Sequence, residues 1–588
     1  MPLIGTAGHV DHGKSTLVMA LSGRDPDRWA EEKRRGLTID LGFAWADIGG
    51  GLEVSFVDVP GHERYLKNML AGVDAIDIAI LVVAANEGWM PQTEEHLAVL
   101  HLLGVSRGVV ALTKVDMVDR EIAELASAEV EDRLEGTSLA GSMVVPVAAP
   151  NGSGVTELRA ELLRLCESLI PFEGGRPRLW VDRSFSVPGA GTVVTGSLLG
   201  GILEVGDEVR IYPGRDTARI RSLQSHEKDV NPALPGTRVA VSLVGPEVSD
   251  IGRGDMVARE GQWRTTERLV VSIMPARYVD YVTPRGAYQM HIGTATLNAR
   301  VLKLAGDRAL ISVDRPVAAT MGDRFILRDT GRRRVVAGGA VLDPAPSQGT
   351  LSAKLNAEEP PDKRAARLLE IRGMDHLADI VNDSGGGTPE DAVIVGDLVI
   401  STSRLKQLTD AAEQKVRIDH EERPMRSGIP MATLAGVLKA PRSIVERAIQ
   451  GSTLLEVRGP DVAIENHQAS LDPEAATVWD EARSKLSAGL TVPTVGELEI
   501  ETELLHLLIR RGDLIRVSEN LVYLPDQVAD IIGIVNRLEV PFGVGEFKDA
   551  LGLSRKYAVP ILEWLDDRGY TVRRGDGRFP GPGSGSGS

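Results

Sequence analysis

Gly8-His9-Val10-Asp11-His12-Gly13-Lys14-Ser15 fits the spacing G-x-x-x-x-G-K-[ST]. Residue types in that order bind a polyphosphate. The glycines let backbone N–H groups converge on an anion, and a helix behind them adds the positive end of its dipole. Lys14 reaches the β- and γ-phosphates, and the Ser15 hydroxyl binds Mg²⁺. Gly8, Val10, Asp11, His12, Gly13 and Thr16 complete the cradle. A second motif, Asp58-Val59-Pro60-Gly61, offers a carboxylate to Mg²⁺ and the Gly61 N–H to a γ-phosphate. A third, Thr113-Lys114-Val115-Asp116, can read a base. The Asp116 carboxylate accepts the two N–H donors of a guanine edge, which adenine lacks. The aliphatic stem of Lys114 lies along the base plane.

These groups need strand ends to hold them. Apolar runs near Leu3, at 54–57, 78–84, 108–112 and 144–147 read as strands. Stretches at 15–21, 92–103 and 122–134 read as helices. The alternation predicts a parallel sheet wrapped by helices, with each motif closing a strand.

The chain has 588 residues, enough for several domains. Its net charge of −17 excludes a protein coated in basic charge, so nucleic acid would bind through local patches. No run of about 18 apolar residues predicts a membrane span. The N-terminus runs straight into the phosphate loop, which leaves no room for a signal peptide and points to a cytoplasmic protein. The single cysteine, Cys166, excludes a disulfide within the chain and suits a reducing compartment. Flanked by Leu163, Leu165 and Leu169, it reads as a small buried hydrophobe.

The first domain spans 1–171, and residues 171–177 form a Pro/Gly-rich linker. Short Val/Ile-rich runs with Gly punctuation then predict two β-barrels, at 172–263 and 264–346. Residues 347–580 repeat a pattern of helix, turn, helix and β-wing, the winged-helix signature. Helices are expected at 431–438, 443–449, 501–511, 544–551 and 555–568. Each is followed by strand-like runs, at 454–457, 462–464, 514–517, 521–524 and 570–573. Four such units fit, the last at about 530–580. There Ser554 suits a helix N-cap, with Arg555, Lys556 and Tyr557 just inside the helix and Arg573, Arg574 and Arg578 on the wing. Residues 537–578 hold eight basic and seven acidic residues against −17 overall. With Glu563, Asp566 and Asp567 late in the helix, a cationic surface for a nucleic-acid backbone is expected. Residues 581–588 read as a disordered tail.

Taken together, the motifs resemble the translational GTPases of the elongation factor Tu group. Gly8 to Lys14, Arg35-Gly36-Leu37-Thr38 and Asp58-Val59-Pro60-Gly61-His62 carry that likeness. It implies that Thr38 binds Mg²⁺, that His62 orients the hydrolytic water and that Val10 belongs to an apolar gate beside it. Lys14 and His62 are then the catalytic residues. Thr113 stands where this group has Asn, which is expected to weaken a hydrogen bond to the phosphate loop. Ala148-Ala149 occupies the fifth guanine loop, where a backbone contact to the base survives but a Ser hydroxyl contact does not. The basic run Lys33-Arg34-Arg35 reads equally as a solvated loop or an RNA contact.

Gly322-Asp323-Arg324-Phe325-Ile326-Leu327-Arg328-Asp329 and Gly338-Gly339-Ala340-Val341-Leu342-Asp343-Pro344 are similar to one branch, the bacterial selenocysteine-specific elongation factors. That resemblance implies a multidomain protein: an α/β P-loop GTPase domain, two β-barrels, then α+β tandem winged-helix domains. It implies an aminoacyl pocket of Asp182, Arg183 and Arg238. A selenol is an anion at neutral pH, so two guanidiniums favour it over a seryl hydroxyl, and Asp182 can accept from the α-amino group. GTP/GDP and Mg²⁺ are the implied cofactors. Selenocysteinyl-tRNA, an mRNA hairpin beside an in-frame UGA codon and the ribosome are the implied partners, for a monomer that binds no membrane. The hairpin falls to Arg555, Lys556, Tyr557, Arg573, Arg574 and Arg578. Two alternatives stay open: a general aminoacyl-tRNA-binding GTPase, and a GTP-switched regulator whose winged helices read DNA.

Overall fold

Ile78–Ala84 is apolar and buried along its whole length, as a strand covered on both faces must be. It lies at the centre of a six-stranded sheet. The strands are β1 (Leu3–Gly8), β2 (Gly42–Asp47), β3 (Glu53–Asp58), β4 (Ile78–Ala84), β5 (Gly108–Thr113) and β6 (Val144–Pro146), in the order β2-β3-β1-β4-β5-β6. All neighbours are parallel except β2, which runs antiparallel to β3. Helices α1 (Lys14–Ser22), α2 (Pro91–Leu102), α3 (Arg120–Leu134) and α4 (Val155–Glu167) cover the faces. They build two cores, one under α2 and α3 and one under α1 and α4. Cys166 sits in the second, and burial pushes its thiol up to about 11, so it has no activated character. The computed structural model describes all residues except 1, 27–40, 61–75, 170–173, 215, 285, 347–350, 576 and 583–588.

Two closed barrels follow. The first joins β7 (Arg178–Val187), β8 (Gly191–Leu199), β9 (Glu208–Tyr212), β10 (Thr217–Ser225), β11 (Lys228–Asp229), β12 (Thr237–Val244) and β13 (Met256–Arg259). The ring runs β10-β12-β8-β7-β13-β9 and closes from β9 to β10, with β11 appended to β10. The second spans Thr265–Ser272 to Val335–Asp343 and closes between those two strands. Closure removes sheet edges, and alternating inward side chains fill each interior.

Next comes Pro361–Arg372, Leu377–Ser384 and the hairpin Ala392–Val395 with Leu398–Ser401. This first winged-helix unit has two helices where the second has three. It shares a core with the second barrel through Leu342, Met321, Leu368 and Leu369. Arg372, 4 % exposed, bridges Asp343 of the barrel and Asp383 of the unit. Residues 1–401 accordingly form one compact unit and 402–588 another. The expected break near 346 is therefore not where contacts thin out: buried leucines and an ion pair cross it.

Within 402–588, Thr402–Glu422, Met431–Leu438 and Arg442–Gln450 form the second winged unit, with wing strands Leu455–Arg458 and Asp461–Ile464. Pro473–Leu486 and Thr502–Arg511 belong to the third, where a single turn of 3₁₀-helix replaces the middle helix. Pro525–Val535, Val544–Leu551, Arg555–Asp567 and the hairpin Thr571–Arg574 with Gly577–Pro580 make the fourth. The third and fourth share one core. Among the described residues no helix is long and apolar enough to cross a membrane.

Candidate functional site

The motif residues gather at the C-terminal ends of parallel strands, where open α/β sheets hold ligands. Gly8 ends β1 at φ 135°, and a Cβ there would stand 2.2 Å from the Val82 carbonyl oxygen. Gly13, at φ 88°, turns the loop into α1. Glycine is required at both positions by backbone geometry.

Lys14 is 6 % exposed, and its ammonium donates to the Gly8 and His9 carbonyls at 3.1 and 2.7 Å. Burial pushes it down to about 8, against the pull of Asp58 and Asp11. It remains charged at neutral pH, and an arriving polyphosphate restores its ordinary affinity for a proton. The Ser15 hydroxyl donates to Asp58 Oδ2 at 2.6 Å, and the Thr6 hydroxyl donates to Oδ1 at 2.6 Å. A hydroxyl and a carboxylate so close are hard oxygen donors, the chemistry Mg²⁺ takes when phosphate and water complete its shell. The residues present fit the ion. Thr38, Gly61, His62 and the basic run 33–35 lie outside the described residues.

The two loops expected to read guanine also meet. Leu112 of β5 is level with Pro146 of β6, so Thr113–Asp116 and Ala148–Ala149 emerge side by side. Lys114 takes left-handed φ 57°, and its ammonium pairs with Glu87 at 2.8 Å. Asp116 stands exposed in the turn behind it. The Ala148 N–H is used by Ser153 O at 2.9 Å, while Ala149 is half-buried. The bond expected to be weakened at residue 113 is present. Thr113 does reach the phosphate loop, its hydroxyl donating to the His12 carbonyl at 2.7 Å. The shorter side chain suffices because β5 runs right beneath the loop.

Two residues of α2 that the sequence reading passed over hold the loop from the other side. The Gly8 N–H donates to His96 Nδ1 at 2.9 Å, and the Val10 N–H donates to Gln92 Oε1 at 3.0 Å. His96 is 2 % exposed, and burial, helped by the Lys14 charge, pushes it down to about 3. It is a neutral acceptor at any physiological pH. Burial likewise pushes His12 down to about 4. Pro91-Gln92 marks a helix start in the sequence, but nothing local shows that His96 meets a glycine 88 residues earlier. His96→Ala leaves the buried Gly8 N–H without an acceptor, a loss of about 1–3 kcal/mol. GTP and GDP affinity should fall by roughly tenfold to a hundredfold, and His96→Gln should recover most of it. Unchanged affinity in His96→Ala would show that the contact is ornamental.

A second site lies at the junction of the GTPase sheet and the first barrel. The pairing of β7 with β8 shifts register between Val181 and Arg183, so Asp182 is the bulged residue and its side chain is re-aimed. Its carboxylate accepts from Arg238 Nε and Nη2 at 2.9 and 2.8 Å and from the Thr195 hydroxyl at 2.6 Å. Asp182 is thus paired with Arg238, with its Oδ2 accepting from Nε alone among these contacts. Arg183, one residue on, is half-buried. The Arg238 guanidinium lies over the Phe43 ring at 4.1 Å and lines a cavity of about 160 Å³ with Trp45, Ser55, Gln224 and His226. Trp45 and His226 stack at 5.0 Å and 3°, and burial lowers the His226 pKa. Phe43 and Trp45 went unread because they come from a strand nearly 200 residues before Arg238.

In the fourth winged unit Arg555 and Lys556 are exposed at the helix start, and the Lys556 ammonium sits 5.4 Å above the Tyr557 ring. Arg573 and Arg574 are exposed on the wing. Two expectations change. Ser554 occupies the N-cap position, but its side chain makes no capping bond. Asp566 does not stand apart from the basic wing: it pairs with Arg578 at 2.9 Å, which leaves that arginine 11 % exposed.

Comparison with known proteins bears on both sites. The family model for the elongation factor Tu GTP binding domain matches 1–171, and that for elongation factor Tu domain 2 matches 191–258. The β-barrel domain of selenocysteine-specific elongation factor matches 267–348, and the winged helix of elongation factor SelB matches 534–579. The selenocysteine-specific elongation factor of Desulfomicrobium baculatum is 33 % identical over 98 % of this chain and 99 % of its own length. That of Escherichia coli K12 is 32 % identical over 98 % of each. A crystal structure of bacterial selenocysteine-specific elongation factor EF-Sec aligns at TM-score 0.71 and 28 % identity, covering 99 % of this chain and 100 % of that one. The Methanococcus maripaludis factor SelB in complex with a GTP analogue aligns at TM-score 0.53 and 26 % identity, over 59 % of this chain and 80 % of that one.

Proposed function

This chain belongs to the family of selenocysteine-specific elongation factors and is a GTPase, and on that premise we propose that it carries selenocysteinyl-tRNA to the ribosome at in-frame UGA codons marked by an mRNA hairpin. One observation supports the coupling of cargo to nucleotide. Phe43 and Trp45, on the strand that follows the proposed first switch loop, cover Arg238 and His226 of the barrel cavity. A change in the switch loop on GTP binding or hydrolysis therefore acts on the two aromatic rings that close the pocket.

The chemistry divides among named groups. Lys14 and the loop N–H groups hold the polyphosphate, and Asp116 selects guanine. Ser15, Thr38 and Asp58 would hold Mg²⁺, which would supply neutralisation of phosphate charge. His62 orients the attacking water, and Lys14 takes up the charge that develops on the leaving phosphate. At the second site, Arg238 uses Nε and Nη2 on Asp182 and Thr195, and its remaining edge meets an anionic selenolate together with Arg183. A seryl hydroxyl gains less from two guanidiniums. Arg555, Lys556, Tyr557, Arg573 and Arg574 take the hairpin backbone and stack a loop base. The factor works in the cytoplasm as a monomer.

The test is ribosome-stimulated GTP hydrolysis on messengers with and without a hairpin after UGA. The hairpin should accelerate hydrolysis by roughly 5- to 150-fold, a coupling of about 1–3 kcal/mol. Arg573→Ala/Arg574→Ala should erase that gain while the hairpin-free rate stays put. A rate blind to the hairpin in the unmodified protein would favour a general aminoacyl-tRNA factor.

A further inference from the structure

On the reading of Thr113–Asp116 as the guanine loop, we propose that Glu87, in the turn after β4, is the residue that positions Lys114 for the base and ties that loop to the phosphate loop through His12.

Three loops converge on this one carboxylate. Its own turn is fixed by backbone bonds. The Glu87 and Gly88 N–H groups both donate to the Ala84 carbonyl, at 3.1 and 2.9 Å, and the Ala85 N–H donates to the Thr113 carbonyl at 2.8 Å. Gly88 closes the turn at φ 68°. Glu87 Oε1 accepts from the Lys114 ammonium at 2.8 Å. Glu87 Oε2 stands 3.8 Å from His12 Nε2 in the phosphate loop. The lysine beside it holds the Glu87 carboxyl below the usual carboxylate range, so the charge is present at neutral pH.

His12 explains how the carboxylate is held. Its ring is fully buried and neutral. Nδ1 lies 3.3 Å from both the Ala84 nitrogen and the Val82 carbonyl oxygen, while Nε2 has no hydrogen-bond partner among the described residues. A negative charge beside Nε2 favours the tautomer with the proton on that nitrogen, and Nδ1 then accepts from the Ala84 N–H. The phosphate loop so turns a buried N–H toward Glu87, and Glu87 faces Lys114. His12 acts at its other end too, where its carbonyl takes the Thr113 hydroxyl at 2.7 Å. The phosphate loop thus grips the guanine loop twice, through Thr113 at the backbone and through Glu87 at a side chain.

Lys114 needs that grip. Its φ of 57° is one that residues with a Cβ rarely adopt, and its side chain is 26 % exposed. A free lysine stem loses rotamer freedom when it is laid along a ring. An ion pair at its tip takes that loss in the empty protein, so the base meets a stem already ordered. A plain surface ion pair would add a little stability and leave nucleotide binding alone. This carboxylate differs from one: its turn is bonded to β5, it faces a buried imidazole, and its lysine stands two residues before Asp116.

The experiment follows binding of N-methylanthraniloyl-GDP to the full chain by stopped flow. Glu87→Gln keeps the size of the side chain and removes its charge. The dissociation rate should rise about three- to tenfold, the reach of one well-placed ion pair. The association rate should stay within about twofold, because interface changes act mostly on release. Lys114→Met keeps an apolar stem and should show a loss of similar size. Glu87→Gln added to Lys114→Met should change release by less than about twofold, since Glu87 acts through the lysine. Thermal melts without nucleotide check that each variant folds. The proposal is overturned if Glu87→Gln releases the label at the unmodified rate, or if its effect persists in full beside Lys114→Met, which would make Glu87 a support of the turn alone. Competition by unlabelled GDP and ADP tests the guanine reading separately. GDP should displace the label roughly a hundredfold better than ADP, and parity of the two would remove that reading and the role of Glu87 with it.

Discussion

Replacing Lys14 with methionine should weaken GTP and GDP binding by roughly a hundredfold to ten-thousandfold. The ammonium would make two charge-assisted hydrogen bonds to phosphate oxygens, worth about 1.5–3 kcal/mol each. Affinity should fall while the fold does not suffer, because the free protein bears a cost for this charge. Lys14 is buried on the Gly8 and His9 carbonyls, and its pKa of about 8 lies below the ordinary 10.5. Between those two values the unfolded chain binds the proton that the folded chain has lost, so stability without nucleotide should rise with pH across that window. In Lys14→Met the rise should vanish, and the unfolding midpoint at pH 7 should equal or exceed that of the unmodified protein. Fluorescent-nucleotide titration and thermal melts read both effects. Undiminished nucleotide affinity would place the phosphates elsewhere.

The second large effect is expected at Arg238. Arg238→Ala removes a guanidinium from the cavity and abandons Asp182, 9 % exposed, with only the Thr195 hydroxyl as partner. A carboxylate left so placed costs about 3 kcal/mol of stability. It also repels a selenolate, so preference for selenocysteinyl- over seryl-tRNA should drop on the order of tenfold to a hundredfold. Asp182→Asn/Arg238→Ala separates the two consequences. Stability should return because no buried charge is stranded, and selenium preference should not, because the guanidinium is still missing. Recovery of both would assign Arg238 a structural role alone.

The sites differ in how far the sequence exposes them. The phosphate loop is legible because its chemistry is local: glycines, Lys14 and Ser15 sit within eight residues and pack as their spacing implies. Its supports are not local. His96, Gln92 and Thr113 reach the loop from α2 and β5 across 82 to 101 residues of chain, and their side chains carry no mark of it. Thr113 shows the limit plainly: a departure from a familiar pattern suggested a weakened bond, and the sequence could not say that its hydroxyl would reach the His12 carbonyl. Asp182, Arg183 and Arg238 were reached only through family resemblance, since a β-bulge cannot be read from Val181-Asp182-Arg183.

In the last part, helix–helix–wing periodicity gives the second and fourth units to within a residue or two, because amphipathic faces set it. The break after 401 escapes it, because Leu368, Leu369 and Arg372 are ordinary helix residues until the second barrel lies against them. Arg578 carries the same lesson at smaller scale. A count of charges made it part of a basic wing, and the fold gave it Asp566.

GTP-dependent binding of selenocysteinyl-tRNA against seryl-tRNA by the unmodified protein bears most directly on the central claim. Tight binding of the selenium-bearing tRNA with GTP, much weaker binding with GDP and weak binding of seryl-tRNA with either is the predicted result. Equal affinity for the two tRNAs, or affinity indifferent to the nucleotide, would contradict a pocket that reads an anion under the control of the GTPase.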